Sequence, residues 1–127
     1  MKEIVNYHNA DGYRIYSEQT YLFGKLSHQI ELSEDRQLYH GKGISYHSKS
    51  VISKETNWLN GRWHGETKSY DQEGSLTCIT VFDKGEFVSR KESKNGRWIE
   101  QSWNDLPFWL REAINKHNEE APRGPKR

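Results

Sequence analysis

A single cysteine, Cys78, in 127 residues excludes an internal disulfide and fits a reducing compartment. Apolar residues are scarce, at 32 %, and charged residues nearly match them at 29 %. That balance is too lean for the thick aliphatic interior of an α/β domain. A net charge of +1 supplies no global field that would dictate a nucleic-acid or membrane partner. No window approaches the roughly 20 apolar residues of a membrane-spanning helix. The stretch from Met1 to Tyr7 also lacks the apolar segment of a secretion signal. The chain is therefore expected to be soluble and cytoplasmic, with one domain over residues 1–121. What it does have is aromatic rings, including five Trp and seven Tyr. Each ring can bury a large area while keeping a polar tip wet, so an aromatic stripe can order a thin sheet.

The rings recur at a fixed interval. Laying His40-Gly41 over His64-Gly65, 24 residues on, places Ser45 over Ser69, Tyr46 over Tyr70 and Ile52 over Leu76. It also places Ser53 over Thr77, Thr56 over Thr80, Trp58 over Phe82, Gly61 over Gly85 and Trp63 over Phe87. In each copy a tyrosine is followed by a polar turn, at 47–50 and at Asp71-Gln72-Glu73-Gly74. A β-favouring run comes next, best seen in Leu76 to Phe82, and a second turn, Asn60-Gly61 or Lys84-Gly85, closes the unit. Asn-Gly is a strong hairpin signal because both residues tolerate positive φ. The units run over 39–62 and 63–87, and consecutive units should extend one antiparallel sheet.

Trp58-Leu59-Asn60-Gly61-Arg62-Trp63-His64-Gly65-Glu66 and Tyr70-Asp71-Gln72-Glu73-Gly74 together resemble the MORN repeat, in particular its bacterial variant from antitoxin-like proteins. The resemblance covers residues 39 to 87. It implies a β-hairpin repeat sheet and a protein-binding role of the antitoxin, immunity or inhibitor type in bacteria or their phages.

Outside those copies the pattern decays. Residues 9–25 read as a degenerate copy around Asp11-Gly12 and Phe23-Gly24. Asn95-Gly96-Arg97-Trp98 repeats the turn out of phase, giving a capping hairpin over 86–103. After Trp103 the periodicity becomes helical. Asp105-Leu106-Pro107 reads as a helix start, and the helix should run over 107–120. Phe108, Trp109, Leu110, Ala113, Ile114 and His117 are its expected apolar face. Residues 122–127 read as a flexible basic tail. The fold class is thus mainly β, an antiparallel β-hairpin repeat sheet with one C-terminal α-helix packed on it.

His40 and His64 occupy equivalent positions beside glycine, where the residue type suits a turn. They lie two strands apart, roughly 10 Å by strand spacing, too far to share a metal ion. No Cys-x-x-Cys or His-x-x-x-His pattern is present, so no metal or cofactor is expected. Carboxylates fall in turns and charged stretches, no P-loop or nucleophile elbow exists, and mid-strand Cys78 reads as a small buried side chain. No catalytic residue is assigned, and the expected class is non-enzymatic. Trp, Tyr and Arg are the residues enriched at binding hot spots. The candidate partner-binding set is therefore Arg62, Trp63, Arg97, Trp98 and Trp109, with a protein partner whose surface would be occluded. The alternative is nucleic-acid binding through the hairpin cations Arg90, Lys91, Lys94 and Arg97 together with the tail.

Overall fold

In the computed structural model, which describes residues 1–8, 10–47 and 51–125, two-residue turns decide the topology. Asn60 and Gly61 have φ of 48° and 84°, both in the left-handed region that asparagine tolerates and glycine adopts freely. Phe23-Gly24, Lys84-Gly85 and Asn95-Gly96 repeat the pattern. Turns of this kind match the twist of the flanking strands and lay each strand back beside its predecessor. The strands are β1 (Lys2–His8), β2 (Arg14–Leu22), β3 (Lys25–Leu32), β4 (Tyr39–Tyr46) and β5 (Ile52–Leu59). They continue as β6 (Arg62–Trp63), β7 (Gly65–Tyr70), β8 (Leu76–Asp83), β9 (Glu86–Lys94) and β10 (Arg97–Gln101). All belong to one antiparallel sheet in the order β1-β2-β3-β4-β5-β7-β8-β9-β10, with the short β6 paired to β5. A single α-helix, α1 (Phe108–Glu120), follows among the described residues. It is not long and apolar enough to cross a membrane.

Large side chains meet where the hairpins close. Leu32 pairs with Tyr39, Trp58 with Trp63, and Phe82 with Phe87. Together they form a row across one end of the sheet. Ring centroids lie 5.0 Å apart for Tyr39–Trp58, 6.2 Å for Trp58–Trp63 and 5.2 Å for Trp63–Phe82. The row continues through Phe82–Phe87 at 6.5 Å and Phe87–Trp103 at 5.7 Å. Most of these contacts are tilted or edge-on, as ring quadrupoles favour. Leu110, Ile114 and His117 present one face of α1 to this row, and Leu106 seals it from the connecting segment. Ile114 is the most deeply buried side chain, at 1 % exposure. At the other end of the row the Tyr39 hydroxyl donates to the buried Glu18 carboxylate at 2.8 Å.

Several sequence expectations need correction. Asp105 does not cap α1. Its carboxylate accepts the Ser102 backbone N–H and hydroxyl, both at 2.9 Å, and closes a one-turn 3-10 helix over Trp103–Asp105. The helix proper starts at Phe108, with Pro107 as the flanking residue. That start turns Phe108, Trp109 and Ala113 outward. Strand β1 was not anticipated at all. The tail is not free: Ala121 to Pro125 packs along the end of the sheet, with Arg123 hydrogen-bonded on both sides of its peptide. Lys126 and Arg127 lie outside the described residues, as do Asn9 at the head of the degenerate copy and Ser48 to Ser50 of the first polar turn. The second polar turn is present. Asp71 Oδ1 accepts the N–H groups of Glu73 and Ser75, which fixes the bend before β8.

Because the core is one row deep, its stability should concentrate in few residues. Ile114→Ala is expected to cost about 2–4 kcal/mol by loss of burial and cavity formation, whereas Phe108→Ala should stay within about 0.5 kcal/mol. Urea unfolding of the two variants measures the contrast, and similar losses would place the core elsewhere.

Candidate functional site

The repeat histidines brace turns. Asn60 donates its backbone N–H to His40 Nδ1 at 3.1 Å, and Lys84 donates to His64 Nδ1 at 3.0 Å. The two contacts are the same interaction, 24 residues apart, and each fixes the ring by its Nδ1 against the turn that closes the unit. Among the described residues no group of three or more His, Cys, Asp or Glu is arranged to hold a metal ion. A polar hollow lies among Lys42, Glu55, Thr56, Asn57, Glu66 and Lys68. Its groups are partly spent on one another: Asn57 Nδ2 donates to the Glu66 carbonyl at 2.6 Å and Lys68 pairs with Glu66 at 3.9 Å.

The five residues assigned to partner binding separate into two groups. Trp63 stands in the aromatic row between Trp58 and Phe82, with Arg62 half-buried beside it. Trp98 and Arg97 are exposed on β10, and Trp109 is exposed in the first turn of α1. β10 is an edge strand paired only to β9. Val88 on β9, Ile99 on β10 and Phe108 at the start of α1 are also exposed; Phe108 was expected on the buried face of the helix. Their signal was available for Ile99, which alternates with Trp98 on an edge strand. It was hidden for Phe108, which fits a helical face drawn one residue too early.

The hairpin cations also divide. Arg90 lies largely covered, 15 % exposed, and contacts Glu92 at 3.4 Å, while Lys94 reaches the same carboxylate at 3.8 Å. Arg90 Nε and Gln101 Oε1 are buried without a hydrogen-bond partner, in residues that pair across β9 and β10. Lys91 and Arg97 remain exposed.

The most constrained polar group is His117. Its ring stacks on Trp63 at 3.8 Å between centroids with an interplanar angle of 2°, and lies 5.5 Å from Trp58. The Trp63 backbone N–H donates to His117 Nε2 at 3.1 Å. Accepting there places the ring proton on Nδ1, which is buried and unpartnered. Burial first, then the positive charges of Arg123, Arg62 and Lys54, push the His117 pKa down to about 4. The folded chain therefore keeps the ring neutral at pH values where the unfolded chain protonates it. Stability should be full above about pH 6.5 and fall as pH drops toward 4, by roughly 3 kcal/mol in total. Urea midpoints at pH 7, 5.5 and 4.5 test this. In His117→Phe the loss across that window should largely vanish, and an undiminished slope would assign it to other groups.

Comparison with protein-family models, with curated proteins and with solved structures finds no match.

Proposed function

We propose that this chain is a non-enzymatic protein-binding module that acts by covering a surface of a partner protein. The observation that carries the reading is the edge strand β10, which exposes a large apolar side chain on each of its faces. Trp98 and Ile99 are 48 % and 43 % exposed on opposite faces of a strand with one unpaired edge, and Phe108 and Trp109 at the start of α1 are 70 % and 67 % exposed. Exposed tryptophans flanked by arginine are the usual anchors of protein interfaces, and Arg97 and Lys91 supply a cationic rim. The MORN-type resemblance gives this module its direction: an antitoxin, immunity or inhibitor-type accessory protein of bacterial or phage origin, working in the cytoplasm. Trp63 drops out of the contact set, since its ring is engaged by His117.

The experiment is affinity capture from bacterial lysate, followed by titration of the captured protein with purified variants. Trp98→Ala and Trp109→Ala should each weaken binding about tenfold or more while leaving the unfolding midpoint within about 0.5 kcal/mol of wild type. Retention of full affinity by both folded variants would remove the reading.

Nucleic-acid binding is the second reading, favoured by the exposed Lys91, Lys94 and Arg97 on the β9–β10 hairpin. Glu92 counts against it by drawing Arg90 and Lys94 to itself. A salt-dependent mobility shift with single- or double-stranded DNA or RNA would support it, and none at low salt would exclude it.

A further inference from the structure

The two regular repeats each leave one backbone donor and one backbone acceptor side by side at the closed end of the sheet. In the first copy these are the Tyr39 N–H and the Gly61 C=O, and in the second the Trp63 N–H and the Gly85 C=O. The repeat also ties each pair together, through Gly61 N–H to the Tyr39 carbonyl and Gly85 N–H to the Trp63 carbonyl, both at 2.7 Å. A donor beside an acceptor at this spacing is what the next strand of a sheet, or an extended peptide, would meet.

The C-terminal segment fills both pairs, in different ways. At the second pair, side chains stand in for a peptide: His117 Nε2 accepts the Trp63 N–H at 3.1 Å and Asn118 Nδ2 donates to the Gly85 carbonyl at 2.9 Å. At the first pair a peptide does it directly. Arg123 donates its N–H to the Gly61 carbonyl and accepts the Tyr39 N–H, both at 2.9 Å.

We propose that the Tyr39–Gly61 pair, with the Trp58 ring beside it, is a recognition site for an extended Pro-Arg-Gly peptide segment of a partner protein. The chain's own residues 121–125 hold this site in cis as a built-in competitor. The inference is independent of the β10 surface.

Three features read the sequence of the occupant. The Arg123 guanidinium lies 5.6 Å from the Trp58 ring centroid, a cation–π contact that neutral side chains cannot make. The position after the arginine admits only glycine, because a β-carbon on Gly124 would overlap the Gln37 carbonyl oxygen. The position before it lies close against Gly61, where a β-carbon on Gly61 would overlap the Pro122 ring and the Arg123 nitrogen. Pro122 and Pro125 bracket the Arg-Gly pair. Proline favours extended backbone on its N-terminal side and restricts the free chain, which lowers the ordering cost of binding. One buried carboxylate lies close by: Glu18 accepts the Tyr39 hydroxyl at 2.8 Å. The arginine stands over the Trp58 ring, and its charge also acts on the neighbouring Tyr39 and His117.

A tether of a few residues gives the resident tail an effective concentration in the millimolar range, so a free peptide competes poorly with it. The test is performed on the full chain with Gly124→Leu, which displaces the tail but leaves Tyr39, Trp58 and Gly61 intact. Arg123→Ala, which loosens the tail without adding bulk, is the second variant. The probe is the blocked synthetic peptide Ala-Pro-Arg-Gly-Pro, followed by calorimetry and by exchange of the Tyr39 amide proton. Either folded variant should bind the peptide at least tenfold more tightly than wild type, with the Tyr39 amide reprotected on binding. Replacing the peptide's arginine by alanine should weaken binding at least fivefold, and replacing its glycine by leucine should abolish it. Equal, weak binding to wild type and to Arg123→Ala would overturn the proposal, as would indifference to the peptide's arginine. A mixture of wild type and Gly124→Leu that dimerises by exchanging tails would overturn the partner assignment in favour of a second copy.

Discussion

The stack of His117 on Trp63, with the Trp63 N–H donated into the same imidazole, is the contact on which the rest of the molecule depends. A single sheet with a one-row core has no opposing layer of its own, and the chain supplies one with a helix of 13 residues. Ile114 and Leu106 contribute apolar burial at the Phe82 end. At the Trp58 end the covering side chain is a histidine, and that choice has two effects. A flat ring covers an indole as an aromatic would, and its nitrogen satisfies a backbone N–H that β6 cannot pass to a further strand. The cost is a buried Nδ1–H without a partner, in a setting where Arg62, Arg123 and Lys54 all oppose protonation. The same ring that closes the core therefore ties its stability to pH.

Away from the aromatic row the sheet is held by different means. Thr67 and Thr80 face each other across β7 and β8, and Thr80 faces Arg90 across β8 and β9. These small side chains, with Cys78, are buried. Long polar side chains do the covering: Arg90 is mostly enclosed, and the Lys54 ammonium lies 5.7 Å from the Trp63 ring centre. Aliphatic stems of lysine and arginine can shield a sheet while their heads reach water. This is how a chain with 32 % apolar residues forms an ordered sheet of ten strands. The same stems make the two cations poor candidates for free phosphate contacts.

Much of this architecture was legible because it follows from local rules. Asn60-Gly61 and Asn95-Gly96 announce their turns by residue type, since few other pairs take positive φ twice. The 24-residue spacing then carries the histidines and rings to equivalent places, and His40 and His64 make the same contact for that reason. The failures are equally physical. Lys2 to His8 alternates only weakly, and nothing local tells that β2 will offer it an edge. Asp105 has the right chemistry for a helix cap, but Pro107 lets the chain restart, so the carboxylate serves a separate turn. That restart moves the buried stripe to Leu110, Ile114 and His117 and leaves Trp109 outside. Trp63 and Trp98 have near-identical neighbours in sequence, Asn-Gly-Arg-Trp in both. Only their strands' positions, interior against edge, separate a core ring from a surface one. The docking of Arg123 combines its peptide groups with a guanidinium over the Trp58 ring, and neither is announced by a sequence pattern, because the partners lie more than 60 residues away.

Repetition explains why that peptide group matters. A unit that pairs with its successor leaves a donor and an acceptor at its closed end each time the turn recurs, and burying them unpaired would cost more than one contact gains. Strand pairing satisfies the interior of the sheet, but these end groups have no strand beside them and are met by the C-terminal segment instead. The C-terminal segment answers the two regular copies in sequence order reversed. His117 and Asn118 serve the second copy, and Arg123 serves the first, as the chain crosses the row from Phe82 toward Tyr39. Helical geometry forces side chains to do the work at the second copy, since the backbone of α1 is already hydrogen-bonded to itself. Past Glu120 the helix has ended, and the freed backbone can bond directly. The place where the helix stops therefore decides which repeat is closed by side chains fixed in a helix and which by an extended strand. Only the second kind of closure is one that another extended chain could reproduce.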